Sequence, residues 1–207
     1  MEAKYAIAIF CIGSVVLALG YHHEVALAAI VALFSAIVLA IDKWKYLKEY
    51  VIAVIVGGSC ENLSVALGGW SYANSNFLFA PLWLPLGWGF SFVLFEDAFG
   101  GAVPVKFSWW AVLLAIGGAA AAAFFAPNEL LVLALFVTAT IVLFYSGFYK
   151  KEEFKLGLYA AALGTIMETI SILMGNWEYS AAVLETPLWL PLCWFNAFLI
   201  MRRIVQI

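Results

Sequence analysis

The sequence predicts an all-α integral membrane protein of eight transmembrane helices, arranged as two tandem four-helix repeats of parallel orientation. Three observations predict it. First, 66% of the 207 residues are hydrophobic and only 11% are charged, against about 45–50% apolar and about 25% charged in a soluble domain. A soluble core of this size cannot hide that excess, so lipid must solvate most of the surface. Second, a block recurs. Gly57, Glu61, Ser64, Gly68, Trp70 and Tyr72 return 107 positions later as Gly164, Glu168, Ser171, Gly175, Trp177 and Tyr179. The run Pro81-Leu82-Trp83-Leu84-Pro85-Leu86 with Trp88 returns 106 positions later as Pro187-Leu188-Trp189-Leu190-Pro191-Leu192 with Trp194. This many ordered matches with one gap mark an internal duplication. Third, with eight spans, all ten Lys and Arg residues fall at a terminus or in an even-numbered connection.

Taken in order, the apolar runs place spans at 4–20, 24–41, 50–69, 78–99, 108–126, 129–149, 155–175 and 187–205, each near the 20 or so residues a bilayer core needs. The first run, after Lys4, has the look of a secretory signal, but the duplication argues against its removal. Spans one and two have counterparts in five and six, since Glu24 and the run after it match Glu129 and its run. The halves are therefore 1–100 and 101–207, forming one integrated membrane domain. Four spans per half give both halves the same orientation, related by an axis along the membrane normal. The basic residues set that orientation, with both termini cytoplasmic, in the cytoplasmic membrane of a prokaryote.

Within span three, Glu61 lies roughly 17 Å above the cytoplasmic start, about halfway through a core of about 30 Å. Glu168 lies near mid-depth of span seven. A carboxyl at that depth must face protein or water, and intramembrane acids default to a functional role. Ala53, Gly57, Glu61, Ser64 and Gly68 fall on one helical stripe, as do Ala160, Gly164, Glu168, Ser171 and Gly175. Small residues at these intervals let another backbone approach. Two readings stay open: tightly packed helices joined by Glu–Ser hydrogen bonds, or a pair of acids facing one central cavity. Trp70, Tyr72, Trp177 and Tyr179 follow the outer helix ends. They form an aromatic belt or line the entrance for a ligand. Pro85 and Pro191 should bend the helices that carry Trp83, Trp88, Trp189 and Trp194. Those indoles suit either a flat apolar ligand or plain packing. Glu96 and Asp97 stand at the repeat positions of Arg202 and Arg203, which suggests ion pairs joining the halves.

Some classes are excluded. Cys11, Cys60 and Cys193 show no metal or disulfide spacing. His22 and His23 are adjacent and project in different directions. No Walker loop, HExxH or GxSxG occurs, and no basic surface offers itself to nucleic acid. No cofactor or metal is expected.

The block Glu-x2-Ser-x3-Gly-x-Trp-x-Tyr, followed by Pro-Leu-Trp-Leu-Pro-Leu-x-Trp, resembles small polytopic proteins of carotenoid metabolism, above all the carotenoid hydratase family that includes bisanhydrobacterioruberin hydratase. It is also similar to small bacterial membrane-protein families with an APLW-type helix. The resemblance covers 57–90 and 164–196, with Ser64 and Ser171 standing where a glycine is more typical and without the Pro-x-Glu-Glu motif of related lycopene cyclases. It implies isoprenoid chemistry. On that reading Glu61 and Glu168 are an acid and base acting on a C=C bond by hydration, isomerisation or cyclisation. Ser64, Ser171, Trp70, Tyr72, Trp177, Tyr179, Trp83, Trp88, Trp189 and Trp194 would bind the substrate. The alternatives are a proton-coupled small-molecule transporter and a non-catalytic lipid- or pigment-binding subunit. The expected partners are the bilayer and a hydrophobic small molecule or lipid, with a homo-oligomer or a membrane complex also open.

Overall fold

The structure, a computed structural model, describes residues 2–41, 43–75, 78–100, 103–180, 182 and 185–207. Parts of the 70–77 and 176–186 connections, and residues 101 and 102 at the expected boundary between halves, lie outside the described residues. The described residues form eight α-helices and two short strands. The helices are α1 (Ala3–Gly20), α2 (Glu24–Ile41), α3 (Leu47–Ala66), α4 (Trp83–Phe95), α5 (Trp109–Phe124), α6 (Glu129–Tyr145), α7 (Phe154–Leu173) and α8 (Leu190–Ile204). The strands are β1 (Trp70–Tyr72), after α3, and β2 (Trp177–Tyr179), after α7.

The helices form because nearly every residue is apolar, so burying backbone polar groups in hydrogen-bonded turns is the only arrangement lipid tolerates. α2 and the segment Lys151–Leu173, which holds α7, are long and apolar enough to cross a membrane, while α1, α5 and α6 are apolar but shorter. Large apolar side chains such as Leu19, Val25, Leu130 and Leu173 lie on the surface. α3 packs along α4, and α7 along α8. α1 lies against α7 while α5 lies against α3, so the first helix of each half leans on the third helix of the other.

The two strands were not expected from the sequence. β1 pairs antiparallel with β2, with Trp70 opposite Tyr179, Ser71 opposite Glu178 and Tyr72 opposite Trp177. The fourth and eighth helices also begin later than expected. Pro81–Leu82 and Pro187–Leu188 precede α4 and α8, so Pro85 and Pro191 fall in their first turns. A proline there removes no helical hydrogen bond, which is why no bend is needed. After α4 the chain continues into a π-helical turn, Glu96–Gly100.

At the end opposite the strands, α8 delivers two buried arginines. Arg202 pairs with Glu96 at 2.8 Å and with Glu153 at 2.9 Å, and Arg203 pairs with Glu153 at 2.7 Å. Arg202 also donates to the carbonyls of Gly100 and Val103. The Glu96–Arg202 pair joins residues of the two halves, whereas Arg203 turns to Glu153, on the 3-10 turn before α7. Lys48 donates to the carbonyl of Ile207, and Lys150 to that of Pro104, so the basic connections gather at this end.

Candidate functional site

Local sequence sets up the site. α3 ends at Ala66, and Gly68 adopts φ +81°, the left-handed conformation that favours glycine. Its N–H donates to the Val65 carbonyl and that of Gly69 to the Ser64 carbonyl, the hydrogen-bond pattern of a Schellman helix end. Gly175, at φ +74°, ends α7 the same way: Gly175 donates to Ile172 and Asn176 to Ser171. The reversal folds each strand back over the helix it follows.

The strands then bring their aromatic side chains onto the glutamates. Glu61 Oε2 accepts from the Trp70 indole at 3.1 Å and the Tyr72 hydroxyl at 3.0 Å, and Glu61 Oε1 accepts from the Trp88 indole at 3.1 Å. Glu168 Oε2 accepts from Trp177 at 3.2 Å and Tyr179 at 2.6 Å, and its Oε1 accepts from Trp194 at 3.0 Å. Each carboxyl group thus has three aromatic donors, from positions that match in the two halves. Six of the ten residues expected to bind substrate therefore surround the two glutamates. Trp70 and Trp177 are buried rather than lying in an outer belt, because their N–H groups find their acceptors inward.

Trp88 and Trp194 meet between the glutamates, stacked at 5.1 Å with planes 17° apart. Close approach requires the glycines: a methyl on Gly57 would collide with the Trp88 indole, and one on Gly164 with that of Trp194. The serines do something else. Ser64 donates to the Ala119 carbonyl at 3.3 Å, and Ser171 is buried with its hydroxyl unpartnered among the described residues. Neither bonds to a glutamate among the described residues. Trp189 packs against Phe136, with stacked rings 5.9 Å apart.

Two clefts flank the stacked indoles. The first lies among α1, α2, α4 and α7, and its wall includes Glu61, Glu168, Tyr72, Trp83, Trp88, Trp177 and Trp194. The second lies among α3, α5, α6 and α8, and its wall includes Glu61, Ser64, Trp70 and Trp88. Both are narrow, with free space of about 70 Å³ and about 110 Å³. The walls correspond through the repeat. Gly13, Ser14 and Leu17 of the first cleft stand where Gly118, Ala119 and Ala122 stand in the second, and Met167 and Gly87 where Cys60 and Cys193 stand. Apart from the carboxyl groups the first cleft is almost wholly apolar.

Four contributors escaped the sequence reading. Glu24 accepts from the Leu82 N–H at 2.5 Å, and Glu129 from the Leu188 N–H. These contacts satisfy orphan donors where α4 and α8 begin. The repetition of Glu24 as Glu129 was visible in the sequence, but the partners lie 58 and 59 residues away. Asn196, on the wall of the second cleft, accepts from Tyr149 at 2.9 Å and donates to Thr140 at 2.8 Å and to the Leu192 carbonyl. Tyr21, between α1 and α2, packs edge-on against Trp83 with ring centroids 6.0 Å apart. Burial pushes its phenol up to about 12, so it stays protonated at ordinary pH.

No protein family matches the chain, and no curated protein does. Among solved structures, the chain is similar to the Insig homologue MvINS from Mycobacterium vanbaalenii. They share 15% identity over 76% of this chain and 89% of that one, with a TM-score of 0.64. A cross-linked trimer of MvINS superposes with a TM-score of 0.58, at 15% identity over 76% of this chain and 92% of that one. Identity this low shows a shared fold. With its apolar helices and apolar exterior, the chain is an integral membrane protein whose all-α fold is that of a mycobacterial Insig homologue.

Proposed function

We propose that the first cleft holds an isoprenoid or similar lipid and that Glu61 and Glu168 carry acid–base chemistry on one of its carbon–carbon double bonds. The observation that carries this reading is the meeting of two glutamates, Glu168 buried and Glu61 half-buried, on the wall of one otherwise apolar cleft. The apolar and aromatic lining of the cleft supports the substrate class.

In a hydration, one glutamic acid gives its proton to an alkene carbon, and the π electron pair forms the new C–H bond. The neighbouring carbon becomes cationic, and the carboxylate left by the proton transfer stabilises it by charge. A water oxygen bonds to that carbon, and the proton it loses passes to the second carboxylate. In an isomerisation the second carboxylate instead takes a proton from an adjacent carbon, and the double bond re-forms. Tyr72 and Tyr179 fit this exchange, since a phenol can turn from donor to acceptor when its glutamate is protonated, whereas an indole only donates.

A second reading is a lipid- or pigment-binding subunit without catalysis. It is favoured by the three aromatic donors that each carboxyl group already has. Self-association fits either reading, with the MvINS trimer as precedent.

The test is to express the protein in membranes that make polyenes, purify it, and examine its extract by absorbance and mass spectrometry. The enzymatic reading expects an isomer, or a product heavier by one water molecule, that disappears in Glu61→Gln and Glu168→Gln. A bound polyene that never changes supports the second reading. An extract of ordinary phospholipid alone removes both.

A further inference from the structure

Four tryptophans near the clefts, Trp70, Trp88, Trp177 and Trp194, each donate to a glutamate. Trp83 is more deeply buried than any of these, at 2% exposure, and lines the first cleft. Its indole N–H has no acceptor among the described residues. A buried donor without a partner is unfavourable, and native proteins rarely keep one. The ring itself is well held, with Tyr21 at 6.0 Å and Trp177 at 6.3 Å. It stands on the first turn of α4, next to the Leu82 N–H that Glu24 caps. The surroundings fix the ring and leave its one polar atom unused.

We infer that Trp83 reads a hydrogen-bond-accepting oxygen on the molecule in the first cleft. The ligand is then an oxygenated lipid, such as an alcohol, ether, ketone or ester, and not a bare hydrocarbon. This rests on the first cleft being a ligand site. The oxygen lies toward the strand end of the cleft, beside Trp177. Trp88, whose indole reaches Glu61, lies five residues further along α4, about 7.5 Å at 1.5 Å per residue. The ligand's reactive segment would therefore sit some five or six carbon–carbon bonds from its oxygen. Its apolar remainder runs toward Phe10 and Phe34 on the same wall.

The probes are geranylgeraniol, the hydrocarbon phytane and methyl oleate, titrated against the full chain in nanodiscs. The wild-type protein should bind geranylgeraniol about ten-fold more tightly than phytane, as one recovered hydrogen bond implies. Trp83→Phe, which keeps the ring and removes the donor, should bind the two alike. Methyl oleate tells whether an ester on an acyl chain serves as well as an alcohol on an isoprenoid. Binding as tight as the alcohol's widens the inferred class to acyl lipids, and weaker binding narrows it to isoprenoids. A full preference for the alcohol in Trp83→Phe overturns the inference. Should that variant not fold, wild-type protein is labelled with geranylgeraniol carrying a photoreactive group beside the hydroxyl or at the tail. Labelling of Trp83 and Leu84 by the first and of Phe10 and Phe34 by the second supports the inference, and the reverse pattern overturns it. Failure of every probe to bind the wild-type protein removes the ligand-site reading itself, an outcome distinct from binding without preference.

Discussion

The indole of Trp88 lies on that of Trp194, 5.1 Å apart, while the two N–H groups diverge to Glu61 and Glu168. The stack exists because α3 and α7 present no side chain where the rings pass. Gly164→Ala would put a methyl into the Trp194 ring. Overpacking of this kind costs about 1–3 kcal/mol. The variant should unfold at lower temperature in detergent and lose the near-ultraviolet circular dichroism of the stacked pair. Dichroism identical to the wild type would contradict this contact.

Glu168→Gln tests the hydrogen-bonding pattern independently of catalysis. An amide offers one acceptor oxygen where the carboxylate offers two. Whichever way it turns, either Trp194 or Trp177 faces an amide N–H, and only Tyr179 can reverse its role. One buried donor is left unpaired, at about 1–3 kcal/mol. Thermal unfolding of the purified variant measures the loss, and Trp194→Phe introduced into it should recover part of that loss.

At the opposite end, Arg202 holds Glu96, Glu153 and two carbonyls while only 2% exposed. Removing one member of such a cluster strands the others, and Arg202→Met should cost about 3–5 kcal/mol. Arg202→Lys should not restore it, since a single ammonium cannot span this fork of acceptors. Chemical unfolding at low and high salt should give nearly the same loss, because buried pairs are poorly screened.

The clustering of basic residues predicts which side each end faces. In a chain with Cys11, Cys60 and Cys193 replaced, cysteines are introduced at two exposed positions, Lys151→Cys and Glu178→Cys. A membrane-impermeant maleimide applied to whole cells should label the second and spare the first. The opposite labelling would reverse the orientation.

The helices were legible because hydropathy is a local property, and the repeated glutamates because the block around them is written twice. The ends of α4 and α8 were harder to read. An apolar run does not reveal where the backbone stays extended, and the prolines that looked like bends lie in first turns. The strands were invisible because three residues carry no periodicity and each strand's partner is in the other half of the chain. Trp70 and Tyr72 read naturally as a belt, since the sequence gives no sign that the chain reverses after Gly68 and turns them inward. The serines of the stripe pointed to Glu–Ser contacts. The acceptor that Ser64 finds is a carbonyl on α5, 55 residues away, which helical spacing cannot foresee.

The β1–β2 ladder has a mechanical consequence. It clasps the halves at the end away from Arg202 and Arg203, and Ser180 reinforces it by donating to the Gly68 and Gly69 carbonyls. Splaying the protein open on that side would tear the ladder and part the Ser180 hydroxyl from its acceptors, while Trp70 and Tyr72 stayed with Glu61, and Trp177 and Tyr179 with Glu168. For the lipid proposed above, the cheaper doorway would then be sideways, between helices, directly from the surrounding leaflet.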